Sequence, residues 1–466
     1  MDKFSVFMAT SLLIVSAANV QADVIGLKTS KAAGETMTLA LNNGVSAQLT
    51  WSNGNTETIT FDGFPTTVTV VSDSLTISSD TKITCFYAPS DGLVSLNTSG
   101  ASRLQKLLVP NNSLTALDLS SNTALTELNC QTNDLTALTI TSCPSLQVLN
   151  CAQNELGELT YSAPKVLTSL ICADNQLDTI ASQTSLNCLE ALWCQNNDIS
   201  ALNLSSSSSL RSLMASSTGL TALTLCKMPT LAEVWLENNA LQTLDFSAGS
   251  PLLRCVSVNN NALTDIDWDA NCSGTLAYFY GQNNALFFNS LPTPSDGLVS
   301  VIEPQDSFYL FDAVNVNESV DLSDLMAQTG FGNSSRKTYV LTTGAGETLK
   351  RGSSADYYNT STNWTFYTAH SDVVMAATAA AFGITLYSKP FDIVDPTGIS
   401  NVTTADGMSF ATAKGTLKVT AAKAGTLSVY DAGGACVISK SVGSGTSSYS
   451  LPTGVYMVNG TKVIVP

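Results

Sequence analysis

Between Leu104 and Leu286 the apolar residues return at a fixed spacing, L-x-x-L-x-C-x-x-N-x-L, repeated in nine turns of near-constant length. Leu104, Leu107, Val109, Asn112 and Leu114 form the first turn, and Leu125, Leu128, Cys130, Asn133 and Leu135 the second. Within each turn the stretch x-L-x-C-x alternates with period 2, which predicts a short strand whose Leu and Cys point inward. The remainder, such as Leu114-Thr115-Ala116-Leu117-Asp118-Leu119, is too short for a long helix and predicts an extended or 3₁₀ convex wall. A unit that cannot bury its apolar face alone must stack on copies of itself, so the period predicts a solenoid. Nine strands about 4.8 Å apart make roughly 40 Å of parallel sheet.

Two further columns keep the same step. Cys130, Cys151, Cys172 and Cys194 recur once per turn, a regularity that a disulfide framework does not need. Thiols stacked about 4.8 Å apart in parallel strands lie farther apart than the usual Cβ separation of a disulfide. Free, buried, small apolar side chains are therefore expected there. Sulfurs in line cannot surround a zinc ion tetrahedrally. Cys143, Cys188, Cys226, Cys255 and Cys272 lie off this ladder, paired or free. The second column is Asn112, Asn133, Asn154, Asn175, Asn197, Asn239, Asn261 and Asn284, interrupted by Thr218. An amide placed where the chain leaves the strand offers donors and an acceptor to backbone groups that the strand no longer pairs. Thr218 is the weaker link, since a hydroxyl has one donor.

The run Leu128-Asn129-Cys130-Gln131-Thr132-Asn133-Asp134-Leu135, repeated with variation, resembles the cysteine-ladder leucine-rich repeats of internalin-like surface proteins, of the internalin J type. The resemblance covers the repeat segment and implies an extracellular binding module without identifying its ligand. The expected fold class is mostly β: a leucine-rich repeat solenoid flanked by small β-sandwich domains.

The flanks carry different patterns. Residues 23–100 are rich in β-branched residues with turn signals; Trp51-Ser52-Asn53-Gly54 followed by Thr56-Glu57-Thr58-Ile59-Thr60-Phe61 predicts a hairpin. That segment is similar to PKD-like sandwiches. Ile83-Thr84-Cys85 and Leu93-Val94-Ser95-Leu96 are expected to form a degenerate turn capping the solenoid of residues 101–294. After Leu291-Pro292-Thr293-Pro294 the period is expected to stop, and residues 295–396 return to alternation, an Ig-like β-sandwich. Residues 397–466 form a last small sandwich with turn glycines. It resembles the sorting domains of type IX secretion through Pro452, Gly454 and Tyr456 and the late Lys462. Ala435-Cys436 and the terminal Pro466 depart from that pattern, which leaves an inert terminal domain as the alternative.

Residues 1–22 have the form of a secretory signal: Lys3, an apolar stretch from Phe4 to Ala18, and Val20-Gln21-Ala22 before Asp23. No later window of about 18 apolar residues follows, so no transmembrane segment is expected after its removal. Together with the C-terminal resemblance, this places the expected protein outside the cell, displayed on the outer surface of a Gram-negative bacterium. Its 466 residues include 37 acids against 20 bases, for a net charge of −17. A nucleic-acid binder needs a basic face and is excluded; a polybasic membrane surface is disfavoured. Apolar residues make up 44% of the chain, against disorder. Fifteen acids and five bases fall between Leu104 and Leu291, so the repeat carries −10.

Candidate chemistry is sparse. His370 is the single histidine, expected at a strand end or surface, and no nucleophile turn accompanies it. Asp265-Ile266-Asp267-Trp268-Asp269 has the oxygen spacing that opens an EF-hand loop, but Ala270 and Leu276 stand where glycine and glutamate are needed. The alternative is a convex strand with Ile266 and Trp268 inward and three aspartates in water. No catalytic residue, cofactor or metal is expected. The stronger lead is the residue between inward Leu and Cys, which faces the concave side: Leu108, Asn129, Asn150, Ile171, Trp193, Met214, Trp235, Ser257 and Tyr280 down the turns. Glu233 and Tyr278 adjoin this column, with Gln195, Asn196, Glu237 and Asn238 at its edge. Contiguous exposed aromatics anchor protein interfaces or stack on sugar rings. The expected partner is a protein or glycan, unless a neighbouring domain or second copy covers the patch. A structural surface-layer component with homotypic contacts is the competing reading, and a glycan-active enzyme a more distant one.

Overall fold

The structure is a computed structural model describing residues 21–161, 166–180, 186–292, 297–323, 337–352, 355–360, 362–379, 382–395, 402–403, 407–413 and 415–465. Lys3, Phe4–Ala18 and Val20 of the expected signal lie outside the described residues. No helix among the described residues is long and apolar enough to cross a membrane. The chain forms two compact units, one running to Asn261 with Gly274–Tyr280, the other made of Ala262–Ser273 and Gly281–Pro466.

In the first unit, ten short strands pair in parallel, from Cys85–Tyr87 and Lys106–Leu108 through to Cys255–Ser257 and Tyr278–Tyr280. The pairing holds one register: Leu107, Leu128, Leu149, Leu170, Leu192 and Leu213 oppose one another in turn, all fully buried. Three-residue strands suffice because each contributes one inward leucine and the fixed period repeats the arrangement turn after turn. The opposite wall is extended, with pairs such as Ala137–Thr139 on Glu158–Thr160 and Ala201–Asn203 on Ala222–Thr224.

The amide column closes turn after turn in the same way. Asn133 Oδ1 accepts from Leu114 N (3.0 Å), and its Nδ2 donates to Cys130 O (3.0 Å) and Val109 O (3.1 Å). Asn154, Asn175, Asn197, Asn239 and Asn261 repeat this, their Oδ1 accepting from Leu135, Leu156, Leu177, Leu220 and Leu241 N. Thr218 has one hydroxyl hydrogen to divide between Ala215 O and Asn239 Oδ1, both at 3.0 Å. The residue before each amide takes a left-handed backbone, φ between 54° and 57°, at Asn111, Thr132, Gln153, Asp174, Asn196, Ser217, Asn238, Asn260 and Asn283. Asn and Asp tolerate that region through local side-chain hydrogen bonds; a β-branched Thr132 does not do so readily.

The ladder extends further than the sequence pattern indicated. At its start Asp91 stands one turn before Asn112, whose Oδ1 accepts from Asp91 N (3.0 Å). The Asp91 carboxylate is held by other partners, Thr38 N (2.8 Å) and Lys31 Nζ (3.2 Å). Burial pushes its carboxyl up, while those two partners oppose the shift. Cys85–Tyr87 is the first parallel strand, and Thr36–Leu41 caps it antiparallel. The segment Leu93–Gly100 is more than the expected degenerate turn: Leu93 N donates to Asn112 Oδ1, and the strand then pairs antiparallel with Asp23–Thr29. That sheet includes the predicted hairpin, Ser46–Trp51 on Thr56–Thr60, with Trp51 buried.

The expected stop after Leu291 is corrected in the second unit. Asn284 Oδ1 accepts from Leu263 N (2.9 Å). One turn later Gln305 Oε1 accepts from Leu286 N (2.9 Å), while its Nε2 donates to Gly281 O (2.6 Å). A glutamine replaces asparagine and Ile302 stands in the cysteine position, which hid the match. Sheets follow: Lys337–Thr342, His370–Ala379, Phe391–Val394 and Ala313–Asn315 with Ile384–Tyr387, and Ser319–Asp321, Asn363–Phe366 and Tyr357–Asn359. Two further four-stranded sheets enclose Phe410, Leu417, Val419, Leu427, Val429 and Tyr456.

Removal of one amide tests the closure. Asn133→Ala should orphan the buried Leu114 N–H and leave Cys130 O and Val109 O with only the neighbouring amides of Asn154 and Asn112, at a cost of about 1–3 kcal/mol. The expected readouts are a lower urea midpoint and lost hydrogen-exchange protection at Leu114. Thr218→Asn restores the missing acceptor and donor and should raise the midpoint; an unchanged or lower midpoint would show that the amide is not what closes that turn.

Candidate functional site on the concave face

The parallel register fixes the outward columns as firmly as the inward ones. Ile171, Trp193, Met214 and Trp235 oppose one another across successive strands, and Trp235 is followed by Ser257 and Tyr280. On the other side of the buried Leu/Val position, Glu233, Cys255 and Tyr278 are aligned in the same manner. Trp193, Met214 and Trp235 are half-buried, Glu233 is exposed, and Tyr278 is 47% exposed. Side chains about 4.8 Å apart on three strands place the outer two of that trio roughly 10 Å apart.

A hollow of about 500 Å³ opens here, lined by Met214 and Trp235 with Gln195, Ser216, Glu237, Asn238 and Asn259. Trp193, Ile171, Glu233, Tyr278 and Tyr280 are not part of its lining. The structure thus gathers Met214, Trp235, Gln195, Glu237 and Asn238 of the expected residues and adds Ser216 and Asn259. Those two occupy the position after the cysteine column, the same as Gln195 and Glu237, so register alone could have found them.

The polar groups of the hollow are unevenly satisfied. Trp193 Nε1 donates to Ser212 Oγ at 3.3 Å, whereas Trp235 Nε1 is buried without a partner, as is Gln195 Oε1. Ser216 Oγ donates to Glu237 Oε2. Lys106 pairs with Glu127 at 2.7 Å and Arg211 with Glu190 at 3.1 Å, but among the described residues no base lies within ion-pair distance of Glu233 or Glu237. Burial pushes the Cys255 thiol up to about 11, and the charges of Glu233 and Glu237 add to the shift. Both carboxylates therefore act on one spot.

Asparagine amides, inward leucines and one concave strand per turn decide the architecture. The fold is a leucine-rich repeat solenoid. No protein-family model and no curated relative matches the chain. Among solved structures, the LRIM1/APL1C complex is 21% identical over 46% of this chain and 40% of that one, with a TM-score of 0.39. YopM, a leucine-rich effector protein from Yersinia pestis, is 25% identical over 44% and 58%, with a TM-score of 0.36. The functional domain of InlJ from Listeria monocytogenes, which includes a cysteine ladder, is 17% identical over 68% and 92%, with a TM-score of 0.29. The chain spans 40% of the LRIM1/APL1C chain and 57% of the APL1 leucine-rich repeat domain.

The other candidates resolve into structural roles. His370 opens the strand His370–Ala379, its Nε2 3.6 Å from Asp356 Oδ1, and no serine or cysteine hydrogen-bonds to it among the described residues. The aspartates of residues 265–269 do not all stand in water as expected. Ile266 and Trp268 are inward, but Asp269 is buried and accepts from Asn271 N (2.9 Å) at the head of the 3₁₀ helix Ala270–Gly274. Asp265 accepts from Ser290 Oγ. No cluster that could hold a metal occurs among the described residues.

None of the eleven cysteines forms a disulfide among the described residues. Cys143, off the main ladder, belongs to a second buried column of the leucine-rich repeat with Asn122, Ser207, Met228 and Ser250. Cys272 holds the corresponding sequence position in the second unit and is buried too. Each of Asn122, Cys143, Ser207, Met228 and Ser250 accepts through its carbonyl from the next leucine of the pattern, for example Leu146 N to Cys143 O at 3.1 Å. In the C-terminal sandwich, Tyr456 Oη donates to Pro452 O at 2.9 Å and the ring lies over Gly454, where a Cβ would sit 3.4 Å from it. Lys462 is exposed opposite Met457.

Burial pushes Cys130 and Cys172 up to about 12, and Cys151 and Cys194 well above their usual value of 9.0. A raised folded value means the folded protein keeps protons that the unfolded chain releases. The ladder's contribution should be intact below pH 9 and fall as pH rises toward 12. A urea midpoint flat across that window would contradict this. Cys436, exposed, should react with a thiol reagent at once; the four ladder thiols should react only on unfolding.

Proposed function

We propose that this chain is a non-catalytic, exported leucine-rich repeat protein that binds a protein partner through its concave face. The observation that carries the reading is the hollow around Trp235 and Met214, where an indole N–H and a glutamine oxygen are buried without partners. Buried polar groups are nearly always paired, so two unpaired ones beside half-exposed aromatics support a surface completed by a partner. Trp193, Ile171, Tyr278 and Tyr280 on the same columns extend the contact area. A glycan stacking on the indoles is the second reading, supported by the amide and hydroxyl groups of Gln195, Ser216, Asn238 and Asn259.

Export and surface display belong to the same proposal. Lys3 and the apolar run to Ala18 support secretion, and the Pro452-x-Gly454-x-Tyr456 turn with Lys462 supports a type IX sorting role for the last sandwich. The alternating pattern of the segment that follows the turn closed by Gln305 supports an Ig-like spacer there.

The test is capture by the intact chain from extracts of cells and surfaces the protein meets outside its own cell, compared with Trp193→Ala/Trp235→Ala. Loss of interface anchors at this position should weaken the captured complex by about 2–4 kcal/mol, roughly thirty-fold or more. Unchanged capture by a variant with wild-type thermal stability would remove the concave face from the binding site. Self-association of the intact chain at micromolar concentration, abolished by the same variant, would instead support the surface-layer reading.

A further inference from the structure

We propose that the hollow at Trp235 takes an arginine side chain from a basic segment of the protein partner, an inference that rests on the concave face being the binding surface. Two groups without partners and one carboxylate without a base fit that side chain and its backbone. Glu237 holds a hydroxyl from Ser216 on Oε2 and meets no base among the described residues; Gln195 Oε1 is a buried acceptor without a donor; Trp235 Nε1 is a buried donor without an acceptor. A guanidinium stacks on an indole, pairs side-on with a carboxylate and has donors left for an amide oxygen. A backbone carbonyl of the same segment accepts the indole N–H.

Charge separates this ligand from the others. Glu237 lines the hollow, Glu233 stands on the same strand as Trp235, and no base lies within ion-pair distance of either among the described residues. A neutral sugar could hydrogen-bond the indole N–H, the amide and the carboxylate, but it carries no positive charge to neutralise the covered carboxylate, which is costly. An acidic segment would be repelled. The segment Leu104–Leu291, with fifteen acids and five bases, sets up a field that draws in basic partners and speeds their encounter. The hollow, about 500 Å³, lies in the range of pockets that take small ligands and single anchoring side chains.

Calorimetric titration of the intact chain tests the assignment with three probes: a glycine–arginine repeat peptide, its glycine–lysine counterpart of equal charge, and cellohexaose. The arginine peptide should bind, more weakly at physiological than at low salt, and the lysine peptide less well because an ammonium does not stack or pair side-on. Glu237→Gln should weaken the arginine peptide roughly tenfold or more, while Asp118→Asn on the convex wall should leave it unchanged. Trp235→Phe keeps a ring, removes the N–H, and should lower affinity without affecting thermal stability. Arginine-peptide binding that is equal in Glu237→Gln and wild type overturns the proposal, as does no binding of that peptide. Cellohexaose binding lost in Trp235→Ala overturns the arginine assignment and leaves the concave face as the binding surface. Peptide binding that survives both Glu237→Gln and Trp235→Ala overturns both.

Discussion

The side-chain amide that closes each turn supplies two donors and an acceptor to backbone groups that a three-residue parallel strand leaves unpaired, and it does so across two turns at once. Asn133 reaches back to Val109 O and Leu114 N while holding its own Cys130 O. Because successive asparagines do the same, each turn is fixed to the one before it by groups buried away from water. Such bonds contribute modestly when made and cost a good deal when lost. The near-constant turn length follows, since a turn of another length would place its amide out of reach.

That closure explains the tolerance of the other columns. Inward positions must be apolar and of suitable volume, so the ladder accepts Val109, Cys130, Ala215, Leu236 and Val258 in the same place. The left-handed position before each amide accepts Asn, Asp, Gln, Ser and Thr, and the backbone is held there by the turns on either side. Outward positions lie outside this amide closure and vary from Leu108 and Asn129 to Trp193 and Trp235. Binding surface can therefore change along the concave face with little structural cost, which is how Trp193, Met214 and Trp235 come to stand on adjacent strands.

The same regularity concentrates charge. Glu233 and Glu237 flank one strand; the parallel register sets Glu233 opposite Cys255 on the next, and the charges of both carboxylates raise that thiol. Elsewhere on the solenoid Lys106 neutralises Glu127 and Arg211 neutralises Glu190, both between neighbouring turns. The hollow at Trp235 is where aromatic surface, unpaired polar atoms and uncompensated carboxylate coincide. Any one of these features alone would be ordinary on a protein surface.

Much of the architecture was legible because a repeat states its contacts many times over: leucine, cysteine and asparagine at fixed offsets determine strand, core and closure without reference to distant residues. The predicted hairpin at Trp51 was legible for a similar reason, since Gly54 has φ of 87° and its turn is local. The ends of the ladder were not. Asp91 and Gln305 hold asparagine's place with other chemistry, and their partners, Thr38 and Lys31 in one case and Gly281 and Leu286 in the other, are set by packing. Nor did spacing show that Asp269 turns inward to cap a 3₁₀ helix. The concave columns could be written down from the sequence. Which of their members share a hollow, and which polar atoms remain unpaired there, depends on rotamers and neighbouring strands, so only the tertiary structure decided it.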